Sequence, residues 1–163
     1  MGKSKWHDSP RRAAREAAAA HLERIGRDLE AWMELFDERA IIEFPYAPSL
    51  GTPARLEGKA AIRSYMADIL PQMKDLAFTD VRITETRDPD VVFVESHGEA
   101  HIDASGRHLS RYAQDYVMRL ETRDGKIVHY REYWNPLPAV QAFGGAGALR
   151  ELLQPSSEGA PRA

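Results

Sequence analysis

Near residue 73 the apolar side chains of this chain stop recurring at helical spacing and begin to alternate. Four segments rich in β-formers follow, at 76–86, 91–103, 107–121 and 126–135. They are separated by the turn-forming strings RDPD (87–90), ASG (104–106) and RDG (123–125), a pattern that predicts an antiparallel meander. A half-chain committed to long strands with one apolar face must find a cover for that face, and only the N-terminal half can supply it.

That half reads as helical. Ser9-Pro10 followed by an Ala/Arg/Glu-rich stretch predicts a helix to about Ile25, with Ser9 as N-cap and Pro10 in the first turn. Gly26 ends it. Asp28 is placed to cap a second helix, LEAWMELF, carrying Leu29, Trp32, Met33 and Phe36 on one face. A short strand, Ala40 to Tyr46, stops at Pro45 and Pro48, and the Gly51-Thr-Pro stretch that follows reads as a loop. Gly58 precedes a third helix, Lys59 to Met73, with Ile62, Tyr65, Met66 and Ile69 on one face and Pro71 limiting its last turn.

The expectation is an α+β fold: a cone-shaped barrel of a curved antiparallel sheet with three N-terminal helices, enclosing a cavity wherever the helices do not fill the cone. Residues 9–143 are expected to form one cavity domain, 1–8 a tail, and the polar, Pro- and Gly-containing 144–163 a mostly disordered tail with a helical turn near 149–153. At 163 residues such a domain buries roughly two thirds of the surface of its unfolded chain, so no staple is required.

Charge narrows the partners. With 22 basic and 25 acidic residues there is no bulk attraction to nucleic acid or anionic membrane, so a small molecule or a second copy of the chain is expected. The absence of cysteine removes disulfides, thiolate nucleophiles and cysteine-based zinc sites. The N-terminus lacks an apolar signal core, and no run reaches the ~18 apolar residues of a membrane span, which reads as cytoplasmic.

Strand faces locate a candidate site. On 107–121 the charges alternate cleanly, which turns Tyr112, Gln114, Tyr116 and Met118 inward. Two phenols and an amide in line suit a ligand cavity better than a packed core, since each buried polar head needs a partner. The last strand puts Glu132 on the face of Val128, Tyr130 and Trp134, opposite Ile127, His129, Arg131 and Tyr133. A carboxyl group walled in by a Tyr and a Trp loses solvation, its pKa rises, and it becomes a usable general acid or base; the competing reading is a solvated, ion-paired Glu. On 91–103, Glu95 and His97 are read as facing inward; the opposite parity, with the aliphatic face packed, follows if the ASG turn differs by one residue. No metal site is expected, because the two His and two Glu of that strand lack helix-spaced partners. His21 lies on the first helix beside Leu22 and Ile25, where a lone histidine is most often structural.

The strings DLEAWMELFDERAIIEFPYAP, LEGKAAIRSYM and VMRLETRDGKIVHYREYWNP, in this order, resemble the nuclear-transport-factor-2-like superfamily in its SnoaL-like and ketosteroid-isomerase-like branch. DPDVVFVESHGEA and the Arg-Glu-aromatic-aromatic-Asn-Pro ending are similar in particular to the PhzA/PhzB phenazine-biosynthesis proteins. The resemblance spans about Ala13 to Ala142. It implies a homodimer with a cofactor-free cavity, and an acid/base role for Glu132. It also marks departures: Tyr65 stands where PhzA/PhzB proteins carry a helix histidine, and Phe44 stands where ketosteroid isomerases carry their general-base Asp. Tyr116 matches the second oxyanion-binding Asp of those isomerases, and their helix tyrosine falls at Ala20 or His21, which makes His21 a candidate.

The superfamily is functionally mixed, so function rests on the site. Glu132, Tyr116 and His21 are the expected catalytic residues. Tyr112, Gln114, Met118, Tyr130, Trp134, Phe44, Tyr65, Glu95 and His97 are the expected binding residues. The expected activity is proton transfer on a hydrophobic oxygenated molecule without a cofactor, as isomerase, cyclase, dehydratase or condensing enzyme. The alternatives are a non-catalytic binding or dimerisation module and a scaffold whose core is filled.

Overall fold

The structure is a computed structural model and describes residues 9–103 and 109–153. The tail at 1–8, the ASG turn and the end of the C-terminal tail, 154–163, lie outside the described residues. Elements run α1 (Ser9–Arg24), α2 (Leu29–Met33), β1 (Phe36–Glu43), a 3-10 turn (Ala47–Leu50), β2 (Arg55–Glu57), α3 (Lys59–Ile69), a second 3-10 turn (Leu70–Gln72), β3 (Met73–Glu85), β4 (Val91–Ile102), β5 (Ser110–Arg123), β6 (Lys126–Trp134), α4 (Pro136–Ala142) and α5 (Ala146–Leu153).

One six-stranded sheet carries the fold, in the order β2-β1-β6-β5-β4-β3. Every pairing is antiparallel except that of β1 with β6, which is parallel. The meander is as expected; the parallel seam is a correction, and β2 is a short strand for which the sequence carried no expectation. Two departures from register bend β3: Asp75 and Asp80, with φ of 56° and 52°, sit where its pairing with β4 shifts, between Lys74 and Ala77 and between Thr79 and Arg82. Such bulges increase twist and curl the sheet.

The helices lie across its inner face. In α1 the buried stripe is Ala14, Ala17, Ala18 and His21, continued by Ile25 just past its end, and the three alanines let the helix approach β4 and β5 closely. Gly26, at φ +78°, ends α1 as expected. Asp28 caps α2 by accepting from the Ala31 amide at 3.0 Å. However, α2 stops at Met33, and Phe36 opens β1 instead of closing the helix. The pairing Phe36↔Ile127 and the bond from the Ile127 amide to the Leu35 carbonyl, 2.8 Å, commit these residues to the sheet, and tertiary pairing overrides local periodicity.

Side-chain parity in β6 also departs from expectation. Its register against β5 shifts between Glu121 and Thr122, so that Ile127 is fully buried and Val128 only partly. Beyond that bulge Tyr130, Glu132 and Trp134 face inward together. The region beyond residue 143 departs most. Helix α5 buries Leu149 and Leu153 and packs against α3 and the first 3-10 turn, so residues 146–153 are part of the domain and not of a disordered tail. Among the described residues no helix is long and apolar enough to cross a membrane.

Candidate functional site

Register across the sheet places Glu132 in an inward-facing row. Met118 pairs with Glu132 and Val94 with Met118, and both neighbours are fully buried. The adjacent rows are Val92–Leu120–Tyr130–Ile42 on one side and Ser96–Tyr116–Trp134 on the other. A carboxyl group is thereby held between two aromatic rows by backbone pairing, a more exact support than a loop gives.

The helices do not fill the cone. A cavity of about 110 Å³ remains, bounded by the sheet, α3, α4 and α5, and Glu132, Tyr112, Tyr116, Tyr130, Trp134, Phe44 and Tyr65 all line it. Phe44 and Tyr65 are stacked, with ring centroids 5.4 Å apart. Glu132 is surrounded by protein and retains only partial exposure, directed into this cavity. Loss of solvation pushes its carboxyl group up to about 7, against a smaller opposing pull from the hydroxyl of Tyr130, which donates to Oε2.

Beside it stands a chain of donors. The backbone N–H of Asn135 donates to Gln114 Oε1 at 2.6 Å, which turns the Gln114 amide nitrogen toward the Tyr112 hydroxyl, to which it donates. The hydroxyls of Tyr112 and Tyr116 lie 2.5 Å apart. Burial pushes the Tyr112 phenol up to about 12 and that of Tyr116 well above its ordinary value, the latter helped by the nearby Tyr112 and Glu132. Both therefore remain protonated donors across the neutral range.

Several expected residues lie elsewhere. Gln114 and Met118 face inward but sit behind the cavity wall: Gln114 is spent on Asn135 and the phenols, and Met118 is fully enclosed by the sheet core. His21 does not line the cavity either. It continues the Ala stripe of α1, its Nδ1 accepts the Trp32 indole N–H at 2.9 Å, and its ring lies 4.8 Å from that of Tyr130. Full burial lowers its pKa to about 3, so it is a neutral core residue. Glu95 and His97 face outward, because the register Val94↔Met118 and Ser96↔Tyr116 puts the Val94, Ser96 and Gly98 face inside. Outside, Glu95 lies 3.6 Å from Arg82, and His97 meets Asp115 at 2.7 Å.

Sequence reasoning missed Phe78, Phe143, Leu149 and Leu153, which also line the cavity. Leu149 and Leu153 carried a signal, an apolar pair at helical spacing. Gly98 is a further positioning residue. A Cβ there would lie 2.7 Å from Cε2 of Tyr116 and 3.1 Å from Cε1 of Phe78, so the missing side chain is the seat of the Tyr116 ring. Gly98→Ala is expected to cost about 1–3 kcal/mol by overpacking. Thermal denaturation checks this, and unchanged stability would mean that the ring has room to move.

Comparison with known proteins agrees with this architecture. The SnoaL-like domain family matches residues 11–130. The protein YesE of Bacillus subtilis, itself uncharacterised, is 44% identical over 122 residues, covering 75% of this chain and 80% of that one. An uncharacterised PhzA/B-like protein of Pseudomonas aeruginosa is 42% identical over 127 residues, covering 78% and 86%. Among solved structures, the phenazine biosynthesis-related protein PhzB2 of Pseudomonas aeruginosa superposes with a TM-score of 0.75 at 25% identity, covering 96% of this chain and 97% of that one. The family match ends at Tyr130, so Glu132, Trp134, α4 and α5 lie beyond it, and the chemistry of the site rests on its own geometry.

Proposed function

The chain belongs to the SnoaL-like domain family, and we propose that it is a cofactor-independent acid/base enzyme of the isomerase or cyclase kind, acting on a hydrophobic oxygenated small molecule. The observation that carries this reading is Glu132, a carboxyl group in an aromatic-walled cavity with its pKa raised to about 7. A group poised there exchanges protons in either direction near neutrality, whereas an exposed carboxylate is a weaker base and is already ionised, with no proton to return.

In this reading Glu132 removes or returns a proton on a carbon next to a carbonyl. The Tyr116 phenol, with its own oxygen accepting from Tyr112, donates to the oxygen on which negative charge develops, inside a site where few waters compete. Trp134, Phe44, Tyr65 and Tyr130 hold the ring of the substrate against that pair. Proton transfer contributes about 10²–10⁴-fold in rate, so orientation by these walls supplies much of the remainder. Isomerisation, cyclisation or an amine–ketone condensation is the overall reaction in this reading; a Bacillus subtilis structure described as a putative isomerase, 40% identical, and relatives named for phenazine biosynthesis support small-molecule chemistry of this kind. We place the enzyme in the cytoplasm as a homodimer.

The test needs no knowledge of the natural product. Incubated in D2O with a panel of enolisable cyclic and aromatic ketones, the protein is expected to exchange α-protons for deuterium, followed by NMR. Only ionised Glu132 can act as the base, so kcat/KM should rise with pH and level off above about 7, not above the ordinary carboxylate value of 4.5. Ketones that bind without any exchange between pH 5 and 9 would reduce the protein to a ligand-binding module.

A further inference from the structure

The cavity wall is one-sided in charge. Among the described residues that line it, the ionisable groups are Glu132 and the phenols of Tyr65, Tyr112, Tyr116 and Tyr130, with no Lys, Arg or His. The other polar groups are the Thr52 hydroxyl, already given to the Ala47 carbonyl at 3.2 Å, the Trp32 indole N–H, given to His21, and the indole N–H of Trp134. Nearby cations are committed elsewhere. Arg131, next to Glu132 in sequence, faces the opposite side of the sheet, 3.6 Å from Glu43 and over the Tyr133 ring at 5.5 Å. Arg119 pairs with Glu121 there at 3.0 Å, and Arg63 is held by Glu30. Arg150 is exposed and lies over Gly51. His21, close to Tyr130, is locked to Trp32 and neutral.

We propose that this site takes uncharged carbonyl compounds and rejects carboxylates and other anions of the same shape. The inference rests on the cavity being the binding site, as argued above, and adds the charge class of the substrate. A buried anion needs a counter-charge or several donors to replace its water. Here it would find no cation: the phenols of Tyr112 and Tyr116 are already hydrogen-bonded to each other and that of Tyr130 to Glu132, only the neutral Tyr65 hydroxyl and Trp134 indole remain, and a carboxyl group is confined with it in about 110 Å³. The two negative charges could not persist together, and one of the pair would have to take up a proton, as in any pair of carboxylates sharing a site. A ketone meets no such obstacle: its oxygen accepts from a phenol, and its ring replaces water against apolar walls. The sign of the selectivity follows from the wall alone, since a phosphate or carboxylate site is recognised by Arg, Lys or a cluster of backbone amides.

Acetophenone and benzoate form a matched pair of probes, both one-ring molecules suited to this volume. Binding to the full chain is measured by calorimetry or ligand-observed NMR at pH 8 and pH 6, with competition between the two. Acetophenone is expected to bind about 100-fold more tightly at pH 8, from like-charge repulsion at a few ångströms. Benzoate should gain affinity as the pH falls through 7, with proton uptake, while acetophenone does not. In Leu70→Arg, which sets a cation on the partly exposed rim of the cavity, the preference should shrink or invert. Equal affinities at pH 8, or benzoate the tighter, would overturn the charge rule while leaving the proton-transfer reading intact. Acetophenone bound without α-deuteration would do the reverse, and failure of both probes to bind at either pH would remove both conclusions.

Discussion

Glu132→Gln is expected to lower α-proton exchange by about 10²–10⁴-fold while raising the stability of the protein at pH 8. The first effect removes the only carboxyl group on the cavity wall among the described residues, with an amide of the same shape still able to accept from Tyr130. Ligand affinity should change little. The second effect follows from linkage. The Glu132 carboxyl group titrates at about 7 in the folded chain and at 4.5 in the ordinary state, so between these values the folded state holds more protons than the unfolded one. Stability therefore falls as pH rises through that window, by on the order of 3 kcal/mol in total, and the Gln variant escapes the loss. His21 works in the opposite sense: with a folded pKa near 3 against 6.5, it contributes stability present above 6.5 and lost as the pH falls. From 4.5 to 6.5 the two slopes cancel in the natural chain. Denaturation midpoints of Glu132→Gln should instead climb with pH up to about 6.5 and then hold. A variant that loses activity yet melts lower at pH 8 would show that Glu132 is not desolvated.

The meander, its turns and the inward face of β5 were legible because period-two patterning and clean charge alternation are local signals. Glu132 was legible for the same reason, through its shared parity with Tyr130 and Trp134. Parity failed where a bulge or an unknown turn length intervened. At Val128 the shift opposite Glu121 and Thr122 brings Ile127 into the core, and on β4 the choice of face hung on one residue in the connection, so Glu95 and His97 came out on the wrong side. Facing inward is also not the same as lining a cavity. Gln114 and Met118 share the parity of Tyr112 and Tyr116, yet the phenols reach the open space and the shorter-reaching pair behind them does not. The contribution of α5 was least visible, because the buried leucines of an eight-residue helix, Leu149 and Leu153, gain their meaning only from the opening they cover. The parallel pairing of β1 with β6 joins residues some 90 positions apart and leaves no local trace.

Trp32→Ala is expected to be the most damaging single change to the fold. Trp32 is fully buried on the short helix α2, its ring 4.4 Å from Phe36 and 5.7 Å from His21, so it joins α1, α2 and the start of β1. Removing a large aromatic from such a site costs about 3–5 kcal/mol in lost contacts and residual cavity. A second cost arises from its indole N–H, which satisfies His21 Nδ1. His21 is neutral, so its proton sits on Nε2, which already lacks a partner; without Trp32 both ring nitrogens would be buried and unpaired. An orphaned buried acceptor adds about 1–3 kcal/mol. Together these approach the whole stability of an ordinary domain, about 5–15 kcal/mol, so the Ala variant should be largely unfolded or melt far below the natural chain. Trp32→Phe separates the two terms, since it keeps most of the ring and loses the donor. Urea denaturation should show that variant folded and weaker by about 1–3 kcal/mol. The double change Trp32→Phe with His21→Leu, which removes the acceptor as well, should recover part of that loss. Were Trp32→Phe as stable as the natural chain, the histidine would be finding another partner, and its confinement to the core would need a different cause.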